Sequence, residues 1–233
     1  MRAPVKLPGV RDAALLEHPR QPFRLLDGDR ADEHRLSLRM ALGDVVGDGG
    51  PLLVIPRDLL VEWSGVEKPR DGRVITTSLD ADLGEFGGTD YARACAAPDR
   101  VSLLSIGNRW VVVLGSHEPV DSARWLYFRA ESYAIAVLSF QAQADTDTVF
   151  LDAVGRMQVW HDIAPSLHVP CGDLILMHAS SPGWSVIDVG ERDYATIGYY
   201  IAQRVEPGVY AVEEATLTLP DGSVFGLCRF RRT

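Results

Sequence analysis

The chain has 233 residues, 46% of them hydrophobic, which is enough to bury a core in one large domain or two small lobes. Its 23 Lys and Arg residues against 32 Asp and Glu residues give a net charge of −9, which argues against a nucleic-acid binder, because such binding depends on basic side chains that neutralise phosphates. Three cysteines without a CxxC pair predict neither a disulfide framework nor a zinc site, and no apolar run is long enough to span a membrane or to act as a secretory signal.

The first part of the chain is organised around residues 49–65, GGPLLVIPRDLLVEWSG. Residues 1–34, with four prolines and mixed charges, predict a loosely attached arm, and the alternation in residues 34–42 predicts a half-buried strand. Residues 52–55 form a continuous apolar run between two prolines, which predicts a strand covered on both faces. Leu59, Leu60 and Trp63 then share one face of a predicted helical turn.

A long polar connection follows in residues 66–88 and contains an acidic cluster, Asp80, Asp82 and Glu85. Loops of this length in compact domains are often functional, so these three carboxylates are candidate partner-binding residues. Residues 90–97 predict a short helix with Asp90 as its N-cap. Residues 101–106 and 110–114 flank a Gly-Asn-Arg turn and predict a β-hairpin.

The remaining elements predict an α+β fold that is predominantly antiparallel β. A strand is expected at residues 124–128 and the one clear helix at residues 131–143, which are rich in Ala and Gln. Later strands are predicted at 149–154, 157–160, 173–178, 195–204 and 209–215, followed by a hairpin of 215–219 and 223–230. This pattern indicates a mixed lobe at 35–145 and a β-rich sandwich or barrel-like lobe at 146–233, with one continuous domain as the alternative.

Residues with catalytic potential are few. No GxSxG motif is present, but Cys171 lies near His161, His168 and His178 in sequence, which leaves open a small hydrolase with a Cys/His pair. The pair His161-Asp162 together with His178 is a weak candidate for a metal site. A structural role is the favoured interpretation of all of these residues, because free thiols in apolar β-rich proteins are mostly inert.

Trp184 stands apart from the other aromatic residues, most of which fall on strand-like segments and predict core packing. It lies in a Ser- and Pro-containing segment, SSPGWS, that predicts an exposed loop, so it is a candidate anchor for a partner protein.

Four blocks of sequence carry a family resemblance. They are Gly49-Gly50-Pro51 with Pro56, Trp63 and Gly65; Asp90-Tyr91 with Arg93-Ala94-Cys95; Val113-Leu114-Gly115 before Glu118-Pro119; and Gly208-Val209-Tyr210-Ala211-Val212 with Phe225-Gly226-Leu227 and Arg229-Phe230-Arg231. In order and spacing these blocks resemble the bacterial immunity-protein family numbered twenty-one, which is encoded beside polymorphic toxins. The resemblance covers about residues 49–233, and the first 48 residues and residues 66–89 depart from it.

The resemblance implies a cytoplasmic protein that binds and neutralises a cognate toxin and has no catalytic residue, metal or cofactor of its own. The negative charge fits a basic toxin, and no nucleic acid or membrane is expected as a partner. Two other classes stay open at this point: the small hydrolase or metal-dependent enzyme built on Cys171, His161 and His178, and a β-rich binding module with an unrelated partner.

Overall fold

The computed structural model describes residues 38–40, 45–46, 50–69, 72, 74–77, 84–115, 120, 122–128, 131–139, 147–188 and 200–233. The predicted arm at residues 1–34 lies outside this part of the chain, as do Asp80 and Asp82. Residues Leu36–Thr233 form one compact unit.

The described residues form twelve strands, three short α-helices and two 3₁₀ helices. The strands are β1 (Leu38–Met40), β2 (Val45–Val46), β3 (Leu52–Pro56), β4 (Val101–Ile106), β5 (Arg109–Leu114), β6 (Ser122–Phe128), β7 (Tyr133–Ser139), β8 (His161–Val169), β9 (Asp173–His178), β10 (Tyr200–Arg204), β11 (Gly208–Thr218) and β12 (Val224–Arg232). The 3₁₀ helices are η1 (Arg57–Glu62) and η2 (Gly84–Phe86), and the α-helices are α1 (Asp90–Cys95), α2 (Asp147–Gly155) and α3 (Gly183–Asp188). None of the helices in the described part of the chain combines the length and apolarity that crossing a bilayer requires.

The strands form two antiparallel sheets. A five-stranded sheet has the order β10-β9-β3-β5-β4, and a seven-stranded sheet has the order β1-β6-β7-β12-β11-β8, with β2 paired to β6. Each sheet takes strands from both sides of residue 145, so neither sheet is interrupted there. The predicted α+β class with predominantly antiparallel β-structure is confirmed.

The two sheets pack face to face, and helices cover their outer faces. The inner faces share one apolar core, to which alternate residues of nearly every strand contribute. A second core joins the outer face of the five-stranded sheet to η1, α1 and α3, and a third joins the outer face of the seven-stranded sheet to α2. Strands β3, β7 and β9 are largely buried on both faces.

Strand β3 is the most completely buried segment. Leu52 and Val54 point into the core between the sheets, Leu53 and Ile55 point towards η1, and all four side chains have no exposed surface. The strand pairs with β9 on one side and with β5 on the other. The predicted two-sided burial of residues 52–55 and the helical turn after it, now seen as η1, are therefore confirmed.

The chain that follows β3 is fixed by hydrogen bonds to distant segments. Trp63 Nε1–H donates to the carbonyl of Ala179 at 3.0 Å, and the carbonyl of Gly65 accepts the N–H of Tyr91 at 3.0 Å. Asp90, which is fully buried, accepts the N–H of Ser64 at 3.0 Å and binds Arg93 at 3.1 Å. These bonds hold η1, the turn after it and the first turn of α1 together.

Helix α1 corrects one detail of the sequence analysis. Its N-cap is Thr89, whose hydroxyl oxygen accepts the N–H of Ala92 at 3.1 Å. Asp90, predicted as the cap, is the first helical residue and uses its carboxylate to hold Ser64 instead. Both residue types are good caps, so the choice depended on a tertiary contact that local sequence does not contain.

The predicted helix at residues 131–143 is wrong. Residues Tyr133–Ser139 form strand β7, which pairs with β6 and β12 in the middle of the seven-stranded sheet. Ala134 and Ala136 face the inner core, while Ile135 and Val137 face α2. Burial on both faces removes the polar alternation that marks a strand, and the tertiary setting overrides the helix propensity of alanine.

The predicted strands at residues 149–154 and 157–160 are also wrong. Residues Asp147–Gly155 form helix α2, in which Phe150 and Val154, four residues apart, pack on the sheet while Val149 is 58% exposed. Residues 157–160 have no regular secondary structure. The two hairpins predicted at 101–114 and 215–230 are confirmed as β4–β5 and β11–β12.

Replacing Gly65 by Ala should cost about 3 kcal/mol of unfolding free energy or more, because its φ is +58° and a Cβ would lie 2.3 Å from the carbonyl oxygen of Ser180. Gly84→Ala is the matched control: its φ is +56°, but nothing lies within 4 Å of its Cβ position, so we expect a loss of about 1 kcal/mol. Urea unfolding of both variants gives the comparison, and equal losses would show that Gly65 is not a point of close packing.

Candidate binding surface

His161 and His178 lie at the ends of β8 and β9 that are away from the turn holding Cys171, whereas His168 lies near that turn. Cys171 is exposed in the turn between the two strands, whereas His178 is buried at the far end of β9, whose first and last residues are about 17 Å apart at the usual rise of a strand. His161 opens β8 opposite Glu214, and His168 lies opposite Val209 near its other end. Within the described residues no group of three His, Cys, Asp or Glu side chains could hold a metal ion.

A His-Ser pair that the sequence analysis missed lies at the end of β9. Ser180 Oγ is 2.6 Å from His178 Nδ1, and the backbone N–H of Ser180 also donates to Nδ1 at 3.3 Å. The ring packs so closely on Gly50 that a Cβ there would lie 2.9 Å from Cε1 and 2.8 Å from the Tyr91 hydroxyl oxygen. There is no room for a substrate between Gly50 and the ring, so this pair shapes the turn after β9.

Trp184 lies in helix α3, not in the loop predicted for it, because the segment that begins at Gly183 is helical. Its side chain is 38% exposed, and Nε1–H donates to a carboxylate oxygen of Glu67 at 3.4 Å. Glu85, in η2, is exposed, and its neighbour Phe86 is 37% exposed. The described part of the predicted partner-binding set is therefore solvent-accessible, while Asp80 and Asp82 lie outside it.

The outer face of the seven-stranded sheet carries a charge network beside α2. Glu213 is 5% exposed, accepts Arg229 Nε–H at 2.6 Å and also binds Arg231 at 3.2 Å. The guanidinium of Arg229 lies 4.1 Å from the ring centroid of Trp160. Burial alone would raise the pKa of Glu213, but the hydrogen bonds and charges of the two arginines hold it below its ordinary value.

A groove with a cavity volume of about 690 Å³ lies beside this network, at the C-terminal end of β11. It is lined by Asp99, Arg100, Met157, Gln158, Val159, His161, Glu214, Ala215, Thr216, Leu217 and Thr218. Arg100, the residue before β4, donates to Thr216 Oγ at 2.7 Å and so connects the two sheets at this point. Val159 is 68% exposed at the rim of the groove.

The groove exists because residues 157–160 are not a strand. The sequence analysis predicted a strand at these residues, and a strand that continued β8 through them would lie beside Ala215–Thr218 and fill the position that is open. Their composition, Met-Gln-Val-Trp, is typical of a strand, so the local sequence gave no signal for the groove.

One comparison identifies the chain. The family model described as Immunity protein 21 matches residues 44–222, which is more than half of the chain, and the chain therefore belongs to this family. The matched range contains the described strands β2 to β11, and β12 lies beyond it. No curated protein and no solved structure matches the chain.

Glu213→Gln should lower the free energy of unfolding by about 2 kcal/mol at neutral pH, because both arginines lose a charged partner at a buried position. The pKa of Glu213 is lower in the folded protein than in the unfolded chain, so its ionised carboxylate stabilises the fold at pH values above the unfolded-state pKa. This stabilisation is lost as the pH falls through the folded-state pKa. The stabilities of the variant and the parent protein should therefore converge in acid.

Asp152→Asn is the control for this experiment, because the ion pair of Asp152 with Arg156 is exposed on α2 and should contribute about 0.5 kcal/mol or less. Chemical unfolding across the acid range gives both values. A difference between the Glu213→Gln protein and the parent that does not change with pH would contradict the proposed charge network.

Proposed function

We propose that this protein binds a cognate toxin and neutralises it without catalysis of its own. Membership of the immunity-protein family is the observation that carries the proposal. The described residues support it: His161 and His178, the histidines of the enzyme alternative, lie at the ends of β8 and β9 away from the turn that holds Cys171, and Gly50 packs on the ring of His178. Polar groups of this protein are displayed on its surface, where a partner can reach them.

The partner we propose is basic. The formal charge of −9 favours association with a positively charged surface, and long-range attraction of this kind mainly accelerates binding. We propose that the acidic cluster Asp80, Asp82 and Glu85 contacts the toxin and that Trp184 anchors it. A half-exposed Trp beside Glu67 combines the aromatic area and the negative charge that such a contact uses. We place this binding in the cytoplasm, where the toxin would otherwise act.

Co-expression with the cognate toxin domain should restore growth to cells that the toxin alone kills. Growth curves of cells carrying the toxin with and without this protein measure the effect. An unrelated acidic β-protein expressed at the same level is the control for non-specific charge effects. Killing that continues in the presence of this protein would refute the neutralising role and favour an unrelated partner.

Neutralising the proposed acidic contact, with Asp80→Asn, Asp82→Asn and Glu85→Gln together, should weaken toxin binding by about tenfold, a loss of roughly 1.4 kcal/mol. The matched control removes three negative charges elsewhere, with Glu131→Gln, Asp152→Asn and Glu206→Gln, all of which are exposed. Titration calorimetry at low and at physiological salt distinguishes the two variants. Equal losses would show that net charge alone matters, and that the predicted cluster makes no local contact.

A further inference from the structure

We propose that the end of β11 in the groove receives an extended basic segment of the toxin as an added β-strand. The inference rests on the proposed function and names the surface and the kind of contact that carry it out. It depends on the unequal lengths of β8 and β11, on the direction of the backbone groups of β11, and on the charges around the groove.

Strand β11 is longer than its neighbour β8. On one side, β12 pairs with it as far as Thr218, whereas on the other side β8 pairs with it only from Gly208 to Glu214. Residues 157–160, which precede His161 at the start of β8, have no regular secondary structure and are not part of the sheet. Within the described part of the protein, Ala215–Thr218 thus has no strand on its β8 side.

The register shows which backbone groups point to the open side. The N–H of Leu219 donates to the carbonyl of Ser223 and the N–H of Thr233 donates to the carbonyl of Val209, both at 2.9 Å. The pairing with β12 runs without a shift between these two bonds. Hydrogen-bonded positions alternate along an antiparallel strand, so odd-numbered residues of β11 face β12 and even-numbered ones face the other way.

The N–H and C=O groups of Thr216 and Thr218 therefore point into the groove, in line with the position that β8 would occupy. Both residues are exposed. Arg100 donates to Thr216 Oγ at 2.7 Å, a bond that connects this part of β11 to the segment before β4 and fixes the strand in place. Two adjacent outward-facing residues offer two donors and two acceptors, the pattern by which an extended peptide adds to a sheet edge.

The outer edge of β8 is less suited to this role. Pro165 lies in that strand and lacks an N–H, and the register between β8 and β11 shifts between Tyr210 and Val212. A proline and a bulge are the features by which edge strands avoid pairing with other chains. The short end of β11 carries neither feature, and it is regular as far as Thr218.

The charges around the groove favour a basic segment. Glu214 and Asp99 line it, and Asp221 is exposed in the turn that follows β11. Among the described lining residues Arg100 is the only Lys or Arg. A toxin segment with Lys or Arg side chains would be attracted to the same positions.

Amide hydrogen exchange at Thr216 and Thr218 tests this contact directly, with the protein alone and as the purified complex with the co-expressed toxin domain. We expect fast exchange in the protein alone and strong protection in the complex. Protection that is already present in the protein alone would mean that its own chain or a second copy covers the edge, and would overturn the proposal. Fast exchange that persists in the complex would also overturn it.

Thr218→Pro removes one outward-facing N–H without touching the pairing to β12, and Thr218→Val keeps that N–H and is the matched control. We expect Thr218→Pro to bind the toxin domain about tenfold more weakly and Thr218→Val to bind nearly as the parent does. Circular dichroism of both variants checks that they fold. If the parent protein protects cells but Thr218→Pro binds as tightly as Thr218→Val, the strand addition is wrong while the neutralising role stands; if the parent does not protect, the proposed function itself fails.

Discussion

Complete burial of β3 is the constraint on which the rest of the structure depends. Its four aliphatic side chains have no exposed surface, and at about 2 kcal/mol each their burial contributes on the order of 8 kcal/mol, which is comparable to the net stability of a whole domain. To achieve this, the strand must have a partner on each side and a layer on each face. Strands β9 and β5 are the partners on its two sides, and the seven-stranded sheet and η1 are the layers on its two faces.

Residues of the first two sequence blocks of the family resemblance meet beside this strand. Gly50 lies against Tyr91 and the ring of His178, Gly65 lies against the carbonyl of Ser180 and accepts the N–H of Tyr91, and the buried carboxylate of Asp90 holds the N–H of Ser64. Each contact is one of close packing or of a satisfied backbone group. The described residues of these two blocks therefore act as scaffold, and we expect the residues that select a partner to lie on the surface.

The sequence predicted elements whose signals are local and missed those that depend on distant partners. The hairpins at 101–114 and 215–230 have turn residues between alternating strands, and the prolines around β3 mark its ends. In contrast, β7 is apolar on both faces and contains alanines, a composition that favours a helix. Residues 149–154 of α2 include valines, which favour a strand.

The candidate surface was predictable only in part, for the same reason. The acidity of the chain and the exposure of Trp184 and Glu85 follow from composition and short segments. The groove exists because β8 begins at His161, opposite Glu214, while β11 continues to Thr218. The two strands are far apart in sequence and end at different places. No local pattern encodes such a mismatch.

The most direct test of this account is a titration of the toxin's activity with the purified protein, combined with the intact mass of the toxin before and after. Neutralisation by binding predicts that inhibition is complete at a fixed stoichiometric ratio, that the toxin keeps its mass, and that its activity returns when it is separated from the complex in denaturant and refolded. Inactivation of a large excess of toxin by a small amount of protein, or a toxin of altered mass, would contradict the account.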